Sequence, residues 1–349
     1  MSFFIIEQIA RDISVQPRQV QATVDLLDGG ASIPFIARYR KEATGGLDDI
    51  QLRALEARLT YLRDLAERRD TVLKSIKEQG KLTPQLQATI EAAPTKQELE
   101  DLYLPYKPKR RTKGQIAREY GIEPLADKLF ADPSLDPQTE AQAFVQSEKG
   151  EGGEDFTTMP AVLDGVRDIL SERWAEDAAL VQNLREWLWT EGLLHSKLMV
   201  GKNENDAEVA KFRDYFDYDE PIARVPSHRA LAVFRGRAQD ILDAKLVLPD
   251  ALLPEGEKPK TGHPRLADGR IALHMSWSHQ NRPADDLLRK CVTWTWRVKL
   301  SLSIERDLFA RLREAAETVA IKVFGDNLRD LLLAAPAGAK AVMGLDPGI

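Results

Sequence analysis

The sequence has few of the residues that build disulfides, metal sites or membrane spans. Its 349 residues include one cysteine, Cys291, so no internal disulfide can form and a reducing cytosol is expected. No apolar run approaches the roughly 18 residues that a membrane-spanning helix requires. The first ten residues, MSFFIIEQIA, are interrupted by Glu7 and lack a preceding basic residue, unlike a secretory signal peptide. We therefore predict a soluble protein of the cytoplasm.

The motifs of several enzyme classes are also missing. His274 and His279 do not have the spacing of metal ligands on a helix or a loop. Gly201 and Lys202 resemble the end of a phosphate-binding loop, but Ser196 stands in place of its first glycine and Asn203 in place of its closing Ser or Thr. No glycine-serine elbow of a hydrolase occurs. We therefore predict that the chain is not an enzyme and binds no cofactor.

A strong excess of positive charge is absent as well. The net charge is -6 and the isoelectric point about 5.6, which argues against a surface that coats nucleic acid non-specifically. A local basic groove stays compatible with these values, because the field near a cluster depends on local charge. The composition, 43% hydrophobic and 30% charged, is that of a soluble globular protein. A chain of this length is expected to form two or three domains.

Apolar residues at helical spacing predict helices through residues 1–192. Pro17 and Gly29 frame the second helix, which forms a helix-turn-helix-like pair with the first. Such a pair either reads DNA or only packs, and packing is the commoner use. Asp48 and Gln51 form the capping box of a long helix that runs to Gly80. A further long helix is predicted from residue 160 to residue 192.

A change of pattern follows residue 192. Residues 194–200 and 242–248 are predicted as strands, with helices at 206–218 and 228–237 between them. Residues 255–269 are predicted as a loop, and residues 285–333 as a long helical stretch. The predicted fold class is mainly α with a small mixed α/β element. The predicted domains are a helical region at 1–192, the mixed element at 193–284, the central helical stretch at 285–338, and at 339–349 the first strand of a truncated α/β domain.

The most informative segment, Tyr103 to Gly121, reads YLPYKPKRRTKGQIAREYG. We call it the basic segment. Lysine and arginine that neutralise phosphates release counterions and so drive binding, and unpaired bases stack on aromatic rings. The alternative is an extended connector, with solvated lysines and tyrosines that pack inward. The candidate nucleic-acid-binding residues of the basic segment are Tyr103, Tyr106, Lys107, Lys109, Arg110, Arg111 and Lys113.

A second, smaller basic cluster consists of Arg38, Arg40 and Lys41. These three residues are secondary candidates for binding nucleic acid, with Ile36 and Tyr39 available to pack. The favoured alternative is that the arginines pair with acidic residues of the following helix.

The last nine residues offer one carboxylate for chemistry. Residues 341–345 form an apolar run, and Asp346 follows it just before a Pro-Gly turn. A carboxylate at the end of a strand is a possible ligand for Mg²⁺. Because one ligand does not make a metal site, a cap of the turn by Asp346 is the favoured alternative.

Four segments spread from the N-terminal region to the last residue carry a resemblance to a known family. They read GASIPFIARYRKEATGGLDD, LEDLYLPYKPKRRTKGQIAREYGIEPLA, KFRDYFDYDEPI with PSHRALAVFRGR, and VMGLDPGI. In this order they closely resemble the bacterial Tex proteins, transcription accessory factors related to a eukaryotic transcription elongation factor and histone chaperone.

This resemblance implies an N-terminal helical region with a helix-turn-helix-like part, a long central helix, and a YqgF-type RNase H-like domain. GLDPG matches the first strand of that domain, so Asp346 takes the place of its first metal-binding aspartate; Mg²⁺ is implied only if that site is functional. Helix-hairpin-helix elements and an OB-fold RNA-binding domain follow in the family. The chain resembles a fragment that lacks this OB-fold, which is the family's main nucleic-acid contact. The resemblance therefore implies that the fragment binds nucleic acid more weakly than a family member that has the OB-fold.

The leading hypothesis is a transcription accessory factor that binds RNA or DNA and acts with RNA polymerase or the elongation machinery. The alternative is a protein-interaction scaffold that does not contact nucleic acid directly. A third reading is a Mg²⁺-dependent nuclease that uses Asp346, which the fold alone does not establish.

Overall fold

A computed structural model gives the structure of the chain. It describes residues 2–107, 111–150, 154–254, 256–257, 259, 263, 265–334, 338, 341 and 343. The chain divides into two compact units, Met1–Pro108 and Lys109–Ile349. The predicted fold class is confirmed, because the described residues are mainly helical with one small antiparallel sheet.

The first unit is a set of helices around one long helix. Both halves of the predicted capping box form, since the Asp48 carboxylate accepts from the Gln51 amide at 2.7 Å and the Gln51 side chain accepts from the Asp48 amide at 3.1 Å. The helices are α1 (Ser2–Asp12), α2 (Pro17–Asp28), α3 (Ile33–Tyr39), α4 (Asp49–Glu78), α5 (Pro84–Ala92) and α6 (Lys96–Tyr103).

The core of the first unit follows the apolar face of α4. Leu52 and Leu55 are fully buried there, and α1 and α3 pack against the same helix. Ile9 from α1 and Ile36 from α3 are also fully buried. Helices α1 and α2 pack against each other as the predicted pair, and DNA reading by this pair stays the less favoured alternative to packing.

The second unit contains the remaining helices and the sheet. Its elements are α7 (Lys113–Glu119), α8 (Glu123–Ala131), α9 (Pro137–Ala141), α10 (Met159–Ala175), α11 (Ala178–Glu191), β1 (Leu193–Leu198), α12 (Ala207–Ala210), β2 (Asp217–Pro221), α13 (Ser227–Ala238), β3 (Leu242–Val247), α14 (Ala267–His274), α15 (Asp285–Trp294) and α16 (Ser301–Leu332). A π-helical stretch, Thr295–Leu300, joins α15 to α16. One continuous core extends through this unit, from Ala117 to Ala316.

The sheet has the strand order β2-β1-β3, and both pairs are antiparallel. Strands β1 and β3 confirm the strands predicted at residues 194–200 and 242–248. The predicted helix at 206–218 is wrong, because α12 occupies only Ala207–Ala210 and β2 begins at Asp217. The sequence of β2, DYDEP, has little intrinsic strand propensity, so its pairing with β1 determines its structure.

The single helix predicted from residue 160 to residue 192 is also wrong, since two helices occupy this range. Helix α10 ends at Ala175, and the Asp177 carboxylate then accepts from the Leu180 amide at 2.9 Å as the N-cap of α11. Because apolar residues continue at helical spacing from α10 into α11, the apolar pattern does not show the break between the two helices. An aspartate N-cap is therefore the local signal that separates the two helices.

The long helical stretch predicted at 285–333 is confirmed by α15, the π-helical stretch and α16. Helix α14 begins at Ala267, inside the predicted loop at 255–269. The predicted strand at 339–349 lies almost entirely outside the described residues, and the boundaries predicted at 192, 284 and 338 stay predictions. Among the described residues, no helix combines the length and hydropathy needed to cross a membrane.

We expect Cys291 to resist alkylation while the chain is folded. Its side chain is fully buried in α15, and burial raises the pKa of the thiol to about 12. The thiolate, which is the reactive form, is therefore scarce at neutral pH. Iodoacetamide labelling followed by mass spectrometry should show modification only after unfolding in denaturant. Rapid labelling of the native protein would contradict the buried position.

Candidate nucleic-acid interface

The two candidate tyrosines of the basic segment, Tyr103 and Tyr106, belong largely to the first unit's core. Tyr103 is 7% exposed, and its hydroxyl group lies 2.9 Å from the Ser75 hydroxyl. The Arg68 guanidinium covers its ring at 5.4 Å. Tyr106 is half-buried, and its backbone carbonyl accepts from the Gln79 side chain at 2.8 Å. A base could stack on Tyr103 only after the tyrosine ring had left this buried position. The alternative in which the tyrosines pack inward therefore describes Tyr103 better.

Carboxylates accompany both Lys107 and Arg111, two of the candidate binding residues. The Lys107 ammonium lies 3.8 Å from Glu100. Arg111 donates to Glu119 at 2.7 Å and also bonds to Glu154. The hydrogen bond to Glu119 raises the pKa of Arg111 above its ordinary value. Arg111 therefore bridges two acidic side chains and offers a phosphate little uncompensated charge.

Lys113 is exposed in the first turn of α7 and makes no ion pair with any described residue. Lys109 and Arg110 lie outside the described residues. The segment is also divided between the two units, because Lys107 belongs to the first and Arg111 to the second. Its role as one binding site stays a prediction.

The second basic cluster lies at the end of α3, with Arg38 in the helix and Arg40 and Lys41 directly after it, and its surface is more open. Ile33 and Ile36 bury one side of this helix, and the other side exposes Phe35 and Tyr39, which are 41% and 60% exposed. The two rings lie 5.4 Å apart, and Arg40 lies 5.4 Å from the Phe35 ring centre. Arg38, Arg40 and Lys41 are exposed beside them. We call Phe35, Arg38, Tyr39, Arg40 and Lys41 the α3 patch.

The cations of the α3 patch have no carboxylate partner among the described residues. The prediction that they pair with acids of the next helix is therefore wrong there. The physical reason is that the first acids of α4 are already occupied: Asp48 caps the helix, and Asp49 bonds to Arg53 at 2.8 Å. Glu42 follows Lys41 in sequence without forming an ion pair with it.

A tight turn fixes the end of the α3 patch. The Lys41 carbonyl accepts from the Thr44 hydroxyl at 3.0 Å and from the Gly46 amide at 2.8 Å. Gly45 and Gly46 have φ values of 65° and 88°, which favour glycine. The Gln19 side chain of α2 donates to the Gly45 carbonyl at 2.9 Å. The patch is therefore held in place before any ligand binds, which lowers the entropic cost of binding.

Sequence reasoning missed Phe35 and assigned Tyr39 to packing. The signal that would have found both is helical spacing: Ile33 and Ile36 define the buried side, while residues 35 and 39 lie four apart on the other side. Asp346, the proposed metal ligand, lies outside the described residues. Among the described residues, no group of three or more His, Cys, Asp or Glu is arranged to hold a metal ion.

The fold and the patch define a mainly helical protein with an exposed basic-aromatic surface. Family models match two regions: "Tex-like protein N-terminal domain" at residues 4–77 and "Tex central region-like" at residues 132–324. The second match covers more than half of the chain, and the chain therefore belongs to the Tex family. This finding confirms the resemblance inferred from the four sequence segments.

Curated relatives extend the comparison. The chain is 53% identical to Protein YhgF of Escherichia coli over 98% of its own length, and 49% identical to Transcriptional accessory protein Tex of Neisseria gonorrhoeae over 97%. It is 26% identical over its whole length to the human S1 RNA-binding domain-containing protein 1. The chain spans 42% of the length of the two bacterial relatives and 34% of the human one.

Proposed function

We propose that this chain is a nucleic-acid-binding transcription accessory factor of the cytoplasm, and that the α3 patch is its contact surface in the first unit. The observation that carries the proposal is the combination of two exposed aromatic rings with three exposed cations that have no carboxylate partner in the described part of the chain. The names of the relatives, a transcriptional accessory protein and an S1 RNA-binding protein, support the same role. RNA polymerase or the elongation machinery is the proposed protein partner.

Single-stranded nucleic acid suits the patch better than duplex. Phosphates would contact Arg38 and Lys41, and each such contact releases counterions. Unpaired bases would stack on Phe35 and Tyr39, where each stacked base contributes about 1–3 kcal/mol. Neither interaction reads a base edge, so weak dependence on sequence is expected.

Neutralisation of the patch tests the proposal. Fluorescence anisotropy would follow labelled single-stranded RNA and DNA of about 16 nucleotides, an upper site size for such surfaces. The double variant Arg38→Gln, Lys41→Gln is expected to bind about tenfold more weakly, because each lost charge-assisted hydrogen bond weakens binding. The slope of log affinity against log salt should fall in magnitude by about 1.4, which corresponds to two phosphate contacts on a single strand.

The matched control is Lys74→Gln, Lys77→Gln, which removes two exposed cations from α4 of the same unit. This control should change neither the affinity nor the salt slope by a comparable amount. Equal effects of the two double variants would show that only net charge matters. That outcome would remove the α3 patch as a site.

The proposed role includes no catalysis by this chain. A nuclease that uses Asp346 would need further carboxylates, and the described residues supply no metal-binding cluster. Asp346→Asn should leave nucleic-acid binding unchanged. Mg²⁺-dependent cleavage that this substitution abolishes would establish the nuclease instead.

A protein-interaction scaffold is the second candidate function, and the second half of α16 favours it. Several apolar side chains there are exposed, an arrangement typical of surfaces that contact other protein elements. They are Val319, Ile321, Val323, Phe324, Leu328, Leu331 and Leu332. Purified RNA polymerase that is retained by the wild-type chain after nuclease treatment, and lost with Ile321→Asp, Phe324→Asp, would favour the scaffold.

A further inference from the structure

A cleft in the second unit combines arginines with buried phenylalanine rings. It lies between α13 and α16, has a volume of about 450 Å³ and is lined by Arg237, Arg306 and Arg313. Phe234 and Phe309 form its floor, with ring centres 5.6 Å apart. We call these five residues the arginine cleft.

Two of the arginines are held against the floor. The Arg237 guanidinium lies 5.2 Å from the Phe309 ring centre, and the Arg313 guanidinium lies 4.9 Å from that of Phe234. Cation–π contact of this kind positions a guanidinium while leaving its N–H groups available to a further ligand. Arg306 is 79% exposed, so it is free to move toward a bound anion.

Two carboxylates adjoin these arginines, and each accepts a hydrogen bond from another donor. Glu305 also lines the cleft; its carboxylate accepts from the Leu246 amide of β3 at 2.9 Å and lies 3.9 Å from the Arg237 guanidinium. Asp307 accepts from Arg185 at 3.3 Å and lies 3.8 Å from Arg306. Neither separation of 3.8 or 3.9 Å is a hydrogen bond. Within the described residues, the three guanidinium groups of the cleft therefore have no hydrogen-bonded carboxylate.

The spacing along α16 suits a ligand with repeated charges. Arg306 and Arg313 are seven residues apart, which is about 10.5 Å along one face of the helix. Ala310 lies between them, and its small side chain leaves the surface open. Arginine is well suited to phosphate, because its planar fork donates two parallel hydrogen bonds.

We propose that the arginine cleft is a second nucleic-acid contact, which binds phosphates of a single strand through Arg237, Arg306 and Arg313. This inference rests on the proposed function, since it assigns the same class of ligand to a separate surface of the second unit. The contact is with the backbone and is independent of base sequence.

The test uses the 349-residue chain in four forms. They are the wild type, the α3 patch variant Arg38→Gln, Lys41→Gln, the cleft variant Arg306→Gln, Arg313→Gln, and the combination of both. Anisotropy with labelled oligouridylate and oligothymidylate of about 16 nucleotides is measured between about 50 and 200 mM salt. The cleft variant is expected to bind about tenfold more weakly. Its salt slope should be smaller in magnitude by about 1.4.

Two further variants separate binding from folding. Arg306→Gln alone removes an exposed side chain that does not cover a ring, and it should lower the salt slope by about 0.7. Arg329→Gln removes an exposed cation from the last turn of the same helix and should leave affinity and slope unchanged.

The outcomes are distinguishable. Weaker binding in the cleft variant, with a further loss in the combined variant, supports this inference and the α3 patch together. Loss in the patch variant alone overturns the arginine cleft and leaves the proposed function intact. Loss in the cleft variant alone supports the cleft and contradicts the α3 patch. The cleft variant could instead bind oligonucleotide as well as wild type but lose binding to a polyglutamate peptide. That outcome would assign the cleft to an acidic protein and overturn the inference.

Discussion

Replacement of Asp285 by alanine is expected to lower the free energy of unfolding by about 3–5 kcal/mol, the range for breaking a buried, hydrogen-bonded charge. The Asp285 carboxylate is fully buried at the start of α15. It accepts from the Trp277 indole at 3.0 Å and from the Gln280 and Arg282 amides at 2.7 and 2.9 Å. The Arg282 guanidinium also donates to it at 2.9 Å. Alanine would leave all of these donors without an acceptor.

Urea unfolding followed by circular dichroism measures this effect. The control is Asp285→Asn, which keeps the shape and one carbonyl acceptor and should therefore destabilise the protein less than alanine. A free energy of unfolding for the alanine variant within about 0.5 kcal/mol of wild type, as for an ordinary surface substitution, would contradict the arrangement described for Asp285.

The same carboxylate gives the stability a pH dependence. Burial opposes ionisation of Asp285, but hydrogen bonds from Arg282, Gln280 and Trp277 outweigh it and hold the pKa of this carboxyl well below its ordinary value. Its contribution is therefore complete above the unfolded pKa, about 3.9, and is lost as pH falls through the folded value. The difference in stability between wild type and Asp285→Asn should shrink progressively below about pH 4. A difference that stays constant on acidification would contradict this assignment.

Ile36→Ala is expected to destabilise the first unit by about 2–5 kcal/mol. Ile36 is fully buried where α3 packs on α4. The lost side chain leaves a cavity under α3, and the α3 patch is carried on the opposite side of that helix. We therefore expect oligonucleotide affinity to fall together with stability, even though Ile36 itself is unavailable to a ligand.

Two variants control the Ile36 experiment. Ile50→Ala removes a side chain that is 78% exposed, and it should change stability by no more than about 0.5 kcal/mol. Ile36→Leu conserves volume and should retain most of both stability and affinity. Thermal unfolding and anisotropy on the same samples provide the two readouts. Full stability with the alanine variant would show that α3 is not held by this contact.

Patterns among residues close together in sequence were sufficient to predict much of the fold. The Asp48–Gln51 capping box and the apolar face that begins at Leu52 predicted α4, because both depend on neighbours within a few residues. Strand β2 was missed, since its acidic sequence becomes a strand only through pairing with β1. The hydrogen bonds to Asp285 come from residues three to eight positions earlier in an irregular loop, and no helical or strand period marks them.

The site was harder to predict than the fold. The sequence placed Lys107 and Arg111 in one basic run, but it did not show that Glu100 and Glu154 approach them. It also did not show that Asp48 and Asp49, the first acids at the start of α4, are bonded to α4 itself. Whether a cation has a carboxylate partner depends on the tertiary fold. For this reason the structure favours the α3 patch over the basic segment as the proposed contact.

Photocrosslinking shows directly whether the α3 patch contacts nucleic acid. A single-stranded oligonucleotide that carries 4-thiouridine would be crosslinked to the wild-type chain, and mass spectrometry would locate the modified peptides. We expect crosslinks at Phe35 or Tyr39, because those exposed rings are the proposed stacking surface in the first unit. Crosslinks in the first unit that occur only at Tyr103, Tyr106 or Lys107, with none between residues 35 and 41, would contradict this expectation.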